Sequence, residues 1–445
     1  MGKKRGNNAT DIVKSKKLHF VEKAAKKDKL AKLRRQPKSS KRFHKPIPEE
    51  NEPLTVHVPS DLESDEDEEL IANDSTYISF GSSPKDTVDR LEERPKAPWM
   101  RGRSKYKNRN IFLQLHEEIL DFVSFLSPTQ EEIAMRKEAI ECMQNVVNEL
   151  WEGASIEAFG SHVTEMYLPT SDIDLVVYGA PQGKQGLWDL ATRLQDLDIV
   201  SYLEVIDSAR IPIVKLVHAA TNLQIDFSFH GTSGLSTADL VMMYIRKYPS
   251  FRPLVIVLKY FLVQRGLNET FKGGVGSFLL QLLVVSFLQQ YARNHTRSNE
   301  HLNLGVLLVE FFELYGNSLN QSTVGICVRN GGSYFMKDER DWRDANRPFM
   351  LCVENPHDPS HDVAANSYDI RKVFRTFAHA SRSLQAEIAI RGRKRSLSGS
   401  ILERIIALDS FLMERTGPTT FGFNVVRNDP EEMAMLQKRY ESRPE

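Results

Sequence analysis

FGSHVTEMYLPTSDIDLVVYG, residues 159–179, is the stretch whose reading decides the fold. A Gly160-Ser161 pair follows a short apolar run, and ten residues later Asp172-Ile-Asp174-Leu runs into Val176-Val177. In a strand, residues two apart point to the same side, so Asp172 and Asp174 project together. Two adjacent carboxylates repel unless a cation lies between them. Hard divalent ions prefer such oxygen ligands, and a pair of them can clamp the attacking and leaving oxygens of phosphoryl transfer. A solvated, strand-capping Asp-x-Asp is the plain alternative. A third acid, Asp226, stands in NLQIDFSF (residues 222–229), which alternates like a half-buried strand.

Working outward, residues 111–126 carry Phe112, Leu115, Ile119, Phe122 and Leu126 at helical spacing. Ser127 then reads as the cap of a second helix, with Pro128 at its first position and Gln130 after it. Strands are predicted over 156–159, 173–177, 202–206, 213–217 and 223–229, with a helix over 187–197 between them. This is an α+β palm with a mixed sheet. From Thr237 the pattern is helical. Helices are expected over 252–265, 277–291, 304–315, 370–391 and 401–413, which makes a second, mainly helical domain. The expected division is a basic then acidic disordered arm over 1–97, a palm with its preceding helices over 98–240, the helical domain over 241–417, and a polar tail over 418–445.

Lys plus Arg and Asp plus Glu are both 59, so the net charge is zero, but the charge is segregated. Residues 1–46 hold 17 Lys and Arg against three acids, and residues 61–69 read DLESDEDEE. The basic arm reads as a nuclear import signal, an RNA contact or a solvating tail. Cys142, Cys327 and Cys352 form no CxxC pair or metal spacing and fit buried thiols in a reducing compartment. No apolar run reaches the length of a membrane span and no hydrophobic signal segment opens the chain, so the expectation is an intracellular protein with no membrane partner.

Phe-Gly-Ser, ten residues, then Asp-Ile-Asp-Leu resembles the signature of DNA polymerase β-type nucleotidyltransferases. The longer run YLPTSDIDLVV from Tyr167 is similar to the nuclear, TRAMP-type poly(A) polymerases, which carry a PAP-associated domain. The likeness extends over roughly residues 115–380. It implies template-independent addition of AMP from ATP to RNA 3′ ends, with two Mg²⁺ or Mn²⁺ ions on Asp172, Asp174 and Asp226. It also implies a nuclear protein of RNA surveillance that works with a zinc-knuckle RNA-binding protein and an RNA helicase. Terminal uridylylation and an inactive RNA-binding scaffold are the alternatives.

The remaining site residues each carry two readings. Gly160 and Ser161 are a plain turn, or a phosphate cradle ahead of a helix N-terminus. The resemblance gives Ser161 to the β- and γ-phosphates. Asp226 is a solvated strand acid or, as the resemblance implies, the third metal carboxylate, acting as base or helping to orient and deprotonate the primer 3′-hydroxyl. Lys259, among apolar neighbours, snorkels to the surface or, as the resemblance implies, meets the triphosphate. Ser277 is an N-cap or a phosphate contact, and Phe278 is core or a stacking ring where the family has tyrosine. By the resemblance, Ser233 takes the place of an asparagine that contacts the ribose in the family. Residues 351–363 are similar to the nucleotide-recognition loop, with Asn355, Asp358, His361 and Asp362 as polar groups for a base edge. His361 and Asn355 depart from the adenylating branch, and His361 is similar to the uridylylating one, whereas Asp362 matches the adenylating pattern.

Overall fold

The computed structural model describes residues 97–181, 183–209, 211–229, 232–294, 303–393 and 398–417. The basic arm, the acidic block and the polar tail lie outside them. Two helices open the described chain, α1 (Ile111–Leu126) and α2 (Gln130–Leu150), followed by β1 (Ser155–Phe159) and β2 (Ile173–Tyr178). Helix α3 (Lys184–Asp196) leads to β3 (Val200–Ile206), β4 (Ile213–His218) and β5 (Gln224–Ser228). These strands form one five-stranded sheet in the order β1-β2-β5-β4-β3. Only β2 and β5 run parallel; the other neighbours are antiparallel.

Alternation in the strands gives the sheet two unlike faces. Leu175 and Val177 of β2, Val214 and Leu216 of β4, and Ile225 and Phe227 of β5 are buried against Met143 and Val147 of α2 and Leu187, Leu190 and Leu194 of α3. The opposite face carries Asp174, Asp226 and Lys215. Each strand contributes to both faces because its side chains alternate, so the same residues that build the core aim the acids away from it.

A second core is helical. Its elements are α4 (Thr232–Lys247), α5 (Phe251–Val263), α6 (Ser277–Asn294), α7 (Leu304–Glu313) and α8 (Ile370–Arg393). Phe261, Phe311, Phe312, Tyr315 and Phe377 fill its centre, with ring centroids about 5–6 Å apart. Helix α1 belongs here and not with the palm: Leu115, Ile119, Phe122 and Val123 are buried in the helical core. Its fully buried Glu118 accepts from the Trp99 indole at 3.1 Å, from the Ile401 and Leu402 amides, and from the Ser400 hydroxyl. One carboxylate thus gathers the start and the end of the described chain onto α1. Two small hairpins complete this half: β6 (Val324–Cys327) with β7 (Ser333–Met336), and β8 (Glu354–Asn355) with β9 (Asp358–Asp362).

Three boundaries differ from the sequence reading. Helix α2 is capped by Thr129, not Ser127: the Glu132 amide donates to the Thr129 hydroxyl and the Thr129 amide donates to the Glu132 carboxylate, a reciprocal capping box. The Ser127 hydroxyl instead donates to Val123 O and closes α1. Residues 401–413 are a 3-10 turn (Leu402–Arg404) and a short helix α9 (Ser410–Glu414). Asp409 breaks the continuity, capping α9 while accepting from Tyr260 of α5 and from Gln264, which follows that helix. The stretch 351–363 is a hairpin and not an open loop. Cys142, Cys327 and Cys352 are free thiols, the last two buried. Among the described residues, no helix is long and apolar enough to cross a membrane.

Candidate active site

Parallel pairing of β2 and β5 sets Asp174 directly beside Asp226. Asp172, two residues earlier, points to the same side, and one ligand oxygen from each of the three carboxylates lies within 4.8 Å of the others. Burial first, then the charges of Asp172 and Asp226, push the Asp174 carboxyl up to about 7, against the pull of Lys259 and Lys215. Burial also raises Asp226. Asp226 Oδ1 is buried and has no hydrogen-bond partner in the protein. A crowded acid cluster with an unsatisfied buried oxygen suits a hard divalent cation, which takes carboxylate ligands and removes the repulsion. The donor set therefore fits a hard divalent cation.

Gly160 ends β1 at φ +65°, and a Cβ there would lie 2.7 Å from Asp174 Oδ2. The glycine is needed twice, for a left-handed backbone and for the space that the Asp174 carboxylate occupies. Ser161 follows in a hydrogen-bonded turn closed by Thr164 N–H to Gly160 O and Met166 N–H to Ser161 O. This turn stands where a helix was expected after Ser161.

Lys259 rises from α5, its surrounding apolar residues holding it in the interior. Burial pulls its ammonium down to about 8, with Asp172 and Asp174 opposing. Its Nζ donates to Met166 O at 3.3 Å and lines the same cleft as the acids. That cleft, of about 1060 Å³, is lined by Gly160, Ser161, the three acids, Lys259, Ser277 and Phe278. The strand carboxylates and the helical-domain residues predicted from sequence are thus brought together. Ser233 stands in the first turn of α4, and its side chain lies outside the described residues.

Asn355, Asp358, His361 and Asp362 do not line this cleft. Asp358 accepts from the Ser360 amide and hydroxyl, and Asn355 accepts from the His357 amide. Asp362 Oδ1 accepts from the Val353 and Ala364 amides, both at 2.8 Å. These acceptors fold the hairpin.

Two site residues escaped the sequence reading. Lys215 lies opposite Asp226 on β4, with Nζ 2.9 Å from Asp226 Oδ2 and 4.0 Å from Asp172 Oδ2. Its signal was the alternation of IVKLV, which sets Lys215 on the side opposite Val214 and Leu216. Arg136 of α2 is buried, donates to Pro169 O and Ser171 O, and stacks over the Tyr167 ring. It fixes the loop that delivers Asp172, and it was visible as a charge on the apolar stripe of α2.

Residues 115–246 match the family described as "Poly(A) RNA polymerase, mitochondrial-like, central palm domain", and residues 303–361 match "Cid1 family poly A polymerase". The solved polymerase core of TRAMP, an RNA surveillance complex, is 34% identical, with a TM-score of 0.64, and the match covers 70% of this chain and 99% of that one. The chain belongs to the TRAMP-type poly(A) polymerase family. Poly(A) RNA polymerase cid14 of Schizosaccharomyces pombe is 38% identical over 70% of this chain and 47% of its own length. The chain spans about half the length of the curated poly(A) polymerases it matches. The family also includes the inactive non-canonical poly(A) RNA polymerase Trf4-2 of Drosophila melanogaster, 34% identical over 71% of this chain and 79% of its length. Family membership alone therefore does not carry activity; the side chains of the cleft have to. The Cid1 poly(U) polymerase structure, 20% identical with a TM-score of 0.52, shares the fold.

Proposed function

We propose that this TRAMP-type chain transfers AMP from ATP to RNA 3′-hydroxyls, releasing pyrophosphate. The observation that carries the proposal is the acid cluster of Asp172, Asp174 and Asp226, with the unsatisfied Asp226 Oδ1, facing a cleft that also holds Lys259, Ser277 and Phe278. The three acids would hold two Mg²⁺ or Mn²⁺ ions, which supply positive charge to the reacting phosphate. Asp226, as a ligand of one ion, would help to orient and deprotonate the primer hydroxyl there. Lys259 places a half-buried positive charge at the triphosphate, where the apolar surroundings strengthen the attraction. Ser161 and Ser277 donate to phosphate oxygens, and Phe278 offers a ring on which a base stacks. Gly160 keeps the floor of the cleft open for these groups.

The choice of adenine rests on the poly(A) polymerases among the relatives at 36–38% identity. The same relationship, with the basic arm of residues 1–46, supports a nuclear protein that joins a zinc-knuckle RNA-binding protein and an RNA helicase in a TRAMP-like complex. The test is incorporation into a single-stranded RNA primer with each of the four nucleotides, in Mg²⁺ or Mn²⁺. ATP should be preferred over UTP by at least about tenfold, roughly 1.4 kcal/mol. A tail made mainly of uridine overturns the adenylyl reading, and no incorporation with any nucleotide overturns the transferase reading.

A further inference from the structure

The cleft continues past the carboxylates, and the continuation has no role in the proposal above. On the face of the sheet opposite α2 and α3, three cross-strand rows run outward. One row is Asp174, Asp226, Lys215 and Glu204, paired from β2 through β5 and β4 to β3. Tyr202 pairs with Val217 on one side of it, and Ile206 pairs with Ile213 on the other. Tyr202, Glu204, Ile206 and Ile213 all line the cleft. Tyr202 is 49% exposed, although its ring sits on a strand, and its hydroxyl donates to Glu204 Oε2 at 2.6 Å.

In-line phosphoryl transfer requires the attacking and leaving oxygens on opposite sides of phosphorus. The groups suited to the leaving pyrophosphate, Gly160 and Ser161, follow β1 at one end of the sheet. The hydroxyl must then arrive from the other side, past Asp226, over β4 and β3. With strands about 4.8 Å apart and a rise of about 3.4 Å per residue, Tyr202 stands roughly 12 Å from Asp226, within reach of the nucleotides next to a primer end at the carboxylates. Proteins that bind single-stranded nucleic acid without reading sequence use exposed aromatic rings in this way.

Resting on the transferase reading of the cleft, we propose that the bare face of β3 and β4 is the subsite for the single-stranded RNA 3′ end, with Tyr202 as the ring on which a base of the primer stacks. The Glu204 carboxylate fixes the ring through its hydroxyl. The apolar pair Ile206 and Ile213 bounds the strip beyond the reactive row.

The test compares Tyr202→Ala with Tyr202→Phe in the full chain, using fluorescence anisotropy of a short labelled single-stranded RNA without nucleotide. Tyr202→Ala should weaken binding about fivefold or more, while Tyr202→Phe stays within about twofold because the ring remains. In steady-state assays the loss should fall on the KM for RNA and not on the KM for ATP. Thermal melting of both variants checks that the fold is intact. Wild-type RNA affinity in Tyr202→Ala overturns the proposal. So does an equal loss in Tyr202→Phe, which would assign the effect to the hydrogen bond with Glu204. Binding is read without catalysis, so a wild-type chain that adds no nucleotide overturns the transferase reading while the Tyr202 comparison still decides the strip.

Discussion

Asp174→Asn separates the electrostatic cost of the carboxylate cluster from its chemistry. Burial and the neighbouring charges of Asp172 and Asp226 raise the Asp174 carboxyl from 3.8 to about 7. The folded chain therefore holds this proton more tightly than the unfolded chain does. The stability that comes with the protonated form is fully present below about pH 4 and is lost as pH rises through about 7. At about 1.4 kcal/mol for each tenfold change in proton affinity, the ionised carboxylate costs the ion-free fold roughly 4 kcal/mol at pH 8. An amide of the same shape carries no charge, so Asp174→Asn should melt several degrees above the wild type at pH 8 in a chelator, and the gap should shrink to less than about 1 kcal/mol near pH 4. Added Mn²⁺ should close most of that gap at pH 8. A ligand at about a hundred times its Kd stabilises by about 2.7 kcal/mol, and the variant, lacking the central carboxylate, should gain far less. Nucleotide incorporation should fall to background. Differential scanning fluorimetry across pH, with and without Mn²⁺, reads every arm. The reasoning fails if Asp174→Asn melts below the wild type at pH 8 in the chelator, or if Mn²⁺ stabilises both chains equally.

Gly160→Ala should cost about 1–2 kcal/mol from the left-handed backbone alone, and more because the added methyl would lie 2.7 Å from Asp174 Oδ2; incorporation should drop at least about tenfold, with a lower Tm. Activity and melting both unchanged would show that the Asp174 side chain moves aside freely. Asp362→Ala strips the acceptor from two amides and should destabilise by about 1–3 kcal/mol, with the ATP-to-UTP ratio unchanged. A collapsed ratio at constant Tm would return Asp362 to the base edge.

The outline of this fold was legible because the two periodicities were clean. Alternation in residues 173–177 and 223–229 located β2 and β5, and with them the side of the sheet on which Asp172, Asp174 and Asp226 meet. The apolar helices from Phe251 onward were equally clear. Partners at long sequence separation were not legible. Nothing local says that α1 leaves the palm to pack with α5, α7 and α8, because an apolar stripe specifies burial and not the surface that covers it. Asp362 shows the same limit at a single residue. Its loop was recognised from proline, asparagine and aspartate, but the carboxylate is used by the Val353 and Ala364 amides once the hairpin forms.

Lys215 shows what the acid cluster requires of the rest of the sheet. Three carboxylates within 4.8 Å on a half-buried face repel one another, and two of them are pushed upward by burial as well. Positive charge nearby lowers the cost of folding such a site at neutral pH. The antiparallel step from β5 to β4 supplies it, setting Lys215 directly opposite Asp226 and giving an ion pair at 2.9 Å. The same register puts Glu204 beyond Lys215, so charge alternates outward from the carboxylates. Lys259, from α5, adds a second positive charge from the helical half. Parallel pairing of β2 with β5 concentrates the negative charge, and antiparallel pairing of β5 with β4 balances it. The strand order β1-β2-β5-β4-β3 accomplishes both on one face, which is why a single sheet can hold a site this acidic before any cation binds.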